Sequence, residues 1–203
     1  MSPTHFDKTN GSYYYQYVLS IDGDAVIPLP QPLLSGTHRS FDIDYLQSGT
    51  AVDTTRLDER RILNLVLPPW QRDEVWTDEQ KRRFVEGVFL GLGTGFYVIN
   101  GCDWGRDGKS LPMSGWLIDG QQRMSAIRDF LNDSLSIFNG VRFSMLDRPT
   151  ALRRFLRVQF PCIELAYTDD EEKLKELYDR LNFGGTPHTA EERVLSTCHA
   201  HLG

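Results

Sequence analysis

The densest set of groups able to do chemistry in this chain is the run Asp119, Gly120, Gln121, Gln122 and Arg123. It follows the apolar stretch Trp116, Leu117, Ile118 and opens a segment in which Met124, Ile127 and Leu131 recur at helical spacing. A strand-to-helix joint needs a cap, and Asp119 can supply one by accepting from a backbone N–H of the first turn. Three long polar side chains beyond that are more than a joint requires. The first N–H groups of a helix have no internal partner and carry partial positive charge, so an anion, above all a phosphate, sits well there. Gly120 lets the backbone turn tightly or a ligand approach closely. Arg123 can add a bidentate, charge-assisted contact. The amides of Gln121 and Gln122 can donate to phosphate oxygens or orient a water, and Asp119 can hold Mg²⁺ or an attacking water. Capping and phosphate binding both stay open at Asp119. The run lacks the long glycine-rich loop and lysine of a P-loop.

Two further stretches have related chemistry. In "LPPWQRDEVW", Leu67 to Trp76, Gln71 and Arg72 follow a strand end and lie between two tryptophans. Arg72 is either solvated or held by the aromatics against a ligand or Asp119. In "LNFGGTPHTAEE", Leu181 to Glu192, a helix C-cap and an N-cap account for Gly184, Gly185, Thr189 and Glu192. Caps explain less well why Asn182, Thr186 and His188 crowd the same turn, so a backbone anion nest is a second reading there.

The elements that must position these groups are legible in the patterning. Tyr13 to Leu29 reads as two short strands joined at Asp22-Gly23, with proline-rich sequence after it. Its tyrosines read as hairpin aromatics packed on a core rather than as base-stacking groups. Ser40 to Gly49 predicts a short helix closed by Gly49, and Arg61 to Trp70 one strand ending at Pro68-Pro69. Thr77 with Gln80 forms a capping box for a helix to about Leu90, with Phe84, Val85, Val88 and Phe89 inward and Gly91 and Gly93 ending it. Strands are expected around "FYVIN" and "GWLID", either side of a loop at Gly105 to Lys109, then a helix over Gly120 to Leu131. A turn at Asn139-Gly140, a short arginine-bearing helix from Pro149, a strand at "FPCIELAY" and a helix capped by Thr168 with Glu171 complete the pattern, before a last helix from Thr189. Strands and helices mix without βαβ alternation, which predicts an α+β fold.

Composition narrows the class. The chain has 203 residues, 40% of them hydrophobic, enough for one core with a small appendage. A net charge of -6 excludes a general nucleic-acid coat, though it leaves room for a local basic face. Arg142, Arg148, Arg153, Arg154 and Arg157 could form such a face toward DNA, or could neutralise nearby carboxylates, the reading favoured by net charge. Cys102, Cys162 and Cys198 stand apart, which argues for a reducing compartment and against a zinc knuckle. His199 and His201 beside Cys198 are too terminal for a convincing metal site. No basic-then-apolar leader and no run approaching about 18 apolar residues is present, so a cytoplasmic protein with no membrane contact is expected.

The three polar stretches, in this order, resemble the N-terminal domain family of GmrSD-type modification-dependent restriction systems, of ParB/sulfiredoxin-like fold. The carrying residues are the DGQQR run at Asp119 to Arg123, the Pro-x-x-Gln-Arg segment with Pro68 or Pro69, Gln71, Arg72 and Trp76, and Arg180 to Thr189 with Glu191 or Glu192. The resemblance covers about Ser40 to the C-terminus. It implies a ParB/sulfiredoxin-like mixed sheet flanked by helices over residues 39–203, with residues 1–38 as an added extension holding the β-hairpin. It implies binding, and hydrolysis, of a nucleoside triphosphate with Mg²⁺ in defence against foreign DNA. Phosphate contact then falls to Arg123 and Gln122, and the polar or metal-orienting role to Asp119. Gln71, Arg72, Asn182, Gly184, Gly185 and Thr186 line the nucleotide pocket. Larger relatives continue into a nuclease region of HNH type, for which this chain has no signature. Two alternatives remain. One is a non-catalytic phage or mobile-element product that binds a host defence protein, using residues 1–38. The other is a DNA-binding or ParB-like nuclease domain.

Overall fold

The structure, a computed structural model, describes residues 32–183 together with the backbone of Phe6–Asp7 and Ser12–Tyr13. The chain divides into two units, one of Met1–Ser35 with Lys175–Gly203 and one of Gly36–Leu174. In the first, β1 (Phe6–Asp7) pairs antiparallel with β2 (Ser12–Tyr13). The hairpin expected around Asp22-Gly23 and the helix expected from Thr189 lie outside the described residues.

The larger unit is built on a mixed four-stranded sheet, as the α+β expectation requires. Its strands are β3 (Gly36–Asp42), β6 (Tyr97–Ile99), β7 (Leu117–Asp119) and β8 (Gln159–Leu165), in the order β3-β8-β6-β7. β8 runs antiparallel to β3 and parallel to β6, and β6 runs antiparallel to β7. The register of the last pair sets Val98 opposite Asp119, so the polar end of β7 is fixed by a fully buried neighbour. Asp42 accepts from the Tyr45 N–H at 2.8 Å and caps α1 (Ile43–Ser48), which ends at Gly49 as expected.

The stretch expected to be one strand is a tight hairpin, β4 (Arg60–Ile62) against β5 (Leu65–Leu67). The bend falls at Leu63, whose φ is +52°, and at Asn64. Asn64 anchors it by donating to the Tyr45 carbonyl from its side chain at 3.2 Å and to the Leu46 carbonyl from its backbone at 2.9 Å. Those long-range bonds hold a left-handed leucine, a conformation the local sequence does not advertise.

Two helices pack beside the sheet. α2 (Asp78–Phe89) begins with the expected capping box between Thr77 and Gln80. Val85, Val88 and Phe89 are buried, and Phe84 packs partly buried against them. α3 (Gln121–Leu131) buries Met124, Ala126, Ile127 and Phe130 completely. Its polar Gln121 and Ser125 are buried as well, because a second layer of chain covers that face. Phe130 meets Phe89 and Phe155 edge-on, at centroid distances of 5.7 and 5.0 Å.

After α3 the chain turns through Phe138, Asn139 and Gly140, all at positive φ, closed by one bridge between Ile137 and Val141 rather than by a strand pair. The arginine-bearing segment is α4 (Arg148–Ala151), capped by Asp147 and continued by a π-helical turn over Leu152–Leu156 that buries Phe155. α5 (Glu171–Phe183) is capped differently from expectation. Asp170 accepts from the Lys173 N–H at 3.0 Å, whereas the Thr168 hydroxyl accepts from the Asp170 N–H at 3.1 Å. Asn100 holds Thr168 outside the helix, donating to its carbonyl at 2.9 Å and accepting from its N–H at 3.1 Å.

Candidate functional site

The N-cap residue of α3 is Gly120, not Asp119. Its backbone is left-handed, with φ +109°, and a Cβ built there would lie 2.7 Å from the Cβ of Tyr97. Only glycine satisfies both the conformation and the approach. With glycine at this position the helix has no side-chain cap, contrary to the capping role expected of Asp119. Met124 N–H reaches the Gly120 carbonyl at 2.9 Å, the first bond of the helix. The N–H groups of Gln121, Gln122 and Arg123 therefore precede the ladder, and no group among the described residues accepts from them.

Arg123 lies over this mouth. Its Nη2 donates to Asp119 Oδ2 at 2.8 Å, and each side chain keeps 23% of its surface exposed. The guanidinium has a second wall that sequence reasoning missed. A Cβ at Gly95 would come within 2.5 Å of Arg123 Nη1, so the bare backbone at Gly95 is what lets the guanidinium lie there. The Phe96 ring follows, its centroid 6.0 Å from the guanidinium carbon, within cation–π range. A signal existed in "GLGTGF": Gly91, Gly93 and Gly95 alternate directly before β6, and all three have positive φ.

The two glutamines hold the Leu67–Trp76 segment against α3. Gln121 Nε2 donates to the Arg72 carbonyl at 3.0 Å. Gln122 Oε1 accepts from the backbone N–H groups of Val75 and Trp76, each at 3.0 Å. From the far side Arg60 donates to the Gln71 carbonyl at 2.6 Å and to Asp73 at 2.9 Å. Gln71 is buried, and its Oε1 has no hydrogen-bond partner among the described residues. The Arg72 side chain is exposed. The DGQQR run and the Pro-x-x-Gln-Arg segment thus form one unit, joined through amide side chains that bond to backbone.

Residues 55–198 match the family described as the GmrSD restriction endonuclease, N-terminal domain. The chain belongs to that family. Membership places it in restriction, the defence against foreign DNA. No curated protein and no solved structure matches it.

In this GmrSD N-terminal domain the segment is pinned once more by a charge cluster that its sequence did not announce. Lys81 of α2, only 7% exposed, donates to Glu74 at 2.7 Å and to Asp129 of α3 at 2.6 Å. Arg128 closes the square, 2.9 Å from Glu74 and 2.6 Å from Asp129. Burial pulls the Lys81 ammonium down, but hydrogen bonds to Asp129 and Glu74 together outweigh it and hold the group above its usual value. Burial likewise raises Glu74, and the bonds from Lys81 and Arg128 bring it below the ordinary carboxylate range.

The remaining expected residues fall elsewhere. Asn182 sits in the last turn of α5 and donates to the Tyr178 carbonyl at 3.0 Å. Gly184, Gly185 and Thr186 lie outside the described residues. Of the arginines considered for DNA, Arg154 donates to the Phe89 carbonyl at 2.7 Å, at the end of α2. Arg142 and Arg153 help hold Asp133 and Asp147 below the usual carboxylate range, after the hydrogen bonds from Ser144 and Thr150 respectively. Arg142 and Arg153 thus act on nearby carboxylates as the neutralising reading has it, Arg154 is held by a backbone carbonyl instead, and Arg148 and Arg157 are exposed. No group of three or more His, Cys, Asp or Glu side chains that could hold a metal occurs among the described residues. No helix among them is long and apolar enough to cross a membrane.

Proposed function

We propose that this domain binds a nucleoside triphosphate at the α3 mouth and hydrolyses it, as the nucleotide-handling part of a restriction system. The observation that carries the reading is the set of three backbone N–H groups, at Gln121, Gln122 and Arg123, without an acceptor among the described residues, beside a guanidinium paired with Asp119 and packed on the bare backbone of Gly95. Such donors suit phosphate oxygens, and a guanidinium recognises phosphate in two-pronged fashion.

Phosphate arrival gives Arg123 a second anionic partner and loosens its bond to Asp119. The freed carboxylate then orients water. In hydrolysis the water oxygen bonds to the γ-phosphorus, the bond from that phosphorus to the β–γ bridging oxygen breaks, and the diphosphate leaves. Asp119 takes the proton of the attacking water. Arg123, the Gln122 amide and the first-turn N–H groups stabilise charge on the equatorial oxygens. Mg²⁺ fits as an ion carried by the nucleotide, since it commonly uses one or two carboxylates with substrate phosphates, and Asp119 would supply one. It would neutralise phosphate charge when bound.

The test is binding and turnover of ATP, GTP, CTP and UTP with Mg²⁺. Arg123→Ala should abolish binding and turnover, and Asp119→Ala turnover, with unfolding curves showing both variants folded. A wild-type chain that neither binds nor hydrolyses any of the four overturns the reading.

A further inference from the structure

Phe96 keeps 40% of its surface in water although the exposed pair Gly95-Phe96 is flanked by buried residues, Thr94 at 3% and Tyr97 at 1%. It is not a ring on a loose loop. The Thr94 hydroxyl donates to the Gln159 carbonyl at 3.0 Å on one side, and Tyr97 enters the sheet on the other, its ring 4.9 Å from that of Phe160. The chain therefore presents an aromatic face to solvent in a fixed place. That place adjoins Arg123, whose guanidinium carbon is 6.0 Å from the ring centroid. Gly95 brings the two together, because any side chain there would meet the guanidinium at 2.5 Å. Core packing accounts for Tyr97 and for the aromatic cluster around Phe155, but it does not require a ring at the surface beside a cation.

We infer that Phe96 is the platform on which the base of the bound nucleotide stacks, while its phosphates occupy the α3 mouth. The inference rests on the proposed nucleotide-binding reading and adds the residue that meets the base. A ring one guanidinium away from the phosphate donors suits a ligand that is flat and apolar at one end and anionic at the other. Every base has a π-face, so a stacking platform accepts purines and pyrimidines alike, and any choice among bases must come from edge contacts.

The experiment compares two kinds of probe on the full chain with Mg²⁺: the four nucleoside triphosphates, and inorganic tripolyphosphate, which has the charge without the base. Phe96→Ala should weaken the nucleotides by ~10-fold or more, the size of one lost stacking contact. It should leave tripolyphosphate affinity unchanged, and Phe96→Tyr should bind like wild type. Phe96→Leu, which keeps apolar volume, gives the same reading should the alanine variant fail to fold. Unchanged nucleotide affinity in Phe96→Ala, or an equal loss for both kinds of probe, overturns the platform. Wild type binding tripolyphosphate as tightly as every nucleotide also overturns it, and leaves the phosphate site standing. Wild type binding neither probe overturns the phosphate site as well.

Discussion

One oxygen of Gln122 accepts the backbone N–H groups of both Val75 and Trp76, each at 3.0 Å, so a side chain at the mouth of one helix fixes the approach to another. The two Nε2 donors of the same amide have no acceptor among the described residues, and the proposed phosphate site would use them. These two jobs separate in Gln122→Glu. A carboxylate still accepts from Val75 and Trp76, but it has no donor and brings negative charge to a phosphate site. The expected outcome is a melting temperature within a few degrees of wild type with nucleotide affinity lowered ~10-fold or more, as loss of a donor plus like-charge repulsion implies. Calorimetry of unfolding and of nucleotide binding on one preparation checks it. A large fall in stability with intact affinity would show that Gln122 serves the segment alone.

Gly120→Ala tests the turn itself. Alanine must adopt φ +109° and place its Cβ 2.7 Å from that of Tyr97, a side chain locked in the sheet. The conformational part alone costs on the order of 1–3 kcal/mol, and the contact adds to it. Gly91→Ala is the matched control, with φ +75° and open space where the Cβ would go. Denaturant unfolding should show Gly120→Ala clearly the less stable of the two. Equal losses would mean that the approach to Tyr97 relaxes freely.

What the sequence shows of this site follows the range of the forces involved. The capping box at Thr77 and Gln80, the inward stripe of α2 and the polar run opening α3 are local patterns, and each lies where patterning put it. The bend at Leu63 and Asn64 was hidden because its cause is remote: Asn64 bonds to Tyr45 and Leu46, and leucine is no turn residue. The alternating glycines around Gly95 are visible, but their purpose is not, since the need for a bare backbone at Gly95 comes from Arg123, many residues onward. The Asp119–Arg123 pair, by contrast, has the i, i+4 spacing of a helical ion pair. Asp119 attracted a capping role because aspartate before a helix usually has one, and Gly120 took the position instead. The glutamines read correctly as unusual but not as ties to the Arg72 and Val75 backbone, because a side chain's acceptor or donor use is decided by what folds over it.

The Lys81, Glu74, Asp129 and Arg128 square predicts how stability depends on pH. Glu74 is held below its ordinary value of 4.5, so its contribution is complete above that pH and is lost as pH falls through the lower folded value. Lys81 is held above its ordinary value of 10.5, so its contribution is complete below that pH and is lost as pH rises through the higher folded value. Stability from this cluster should therefore form a plateau between about 4.5 and 10.5, with the acid edge set by Glu74. Lys81→Met should remove the alkaline part of the Lys81 contribution and lower the plateau by ~3 kcal/mol, since it strips a buried pairing cation from two carboxylates and leaves only Arg128 to face them. In that variant Glu74 loses one of the partners holding its pKa down, so its acid edge should move to higher pH. Urea unfolding of wild type and variant from pH 3 to 10 measures both the drop and the displaced edge. An unmoved acid edge in Lys81→Met would mean that Arg128 alone sets the Glu74 pKa and that Lys81 is a packing element.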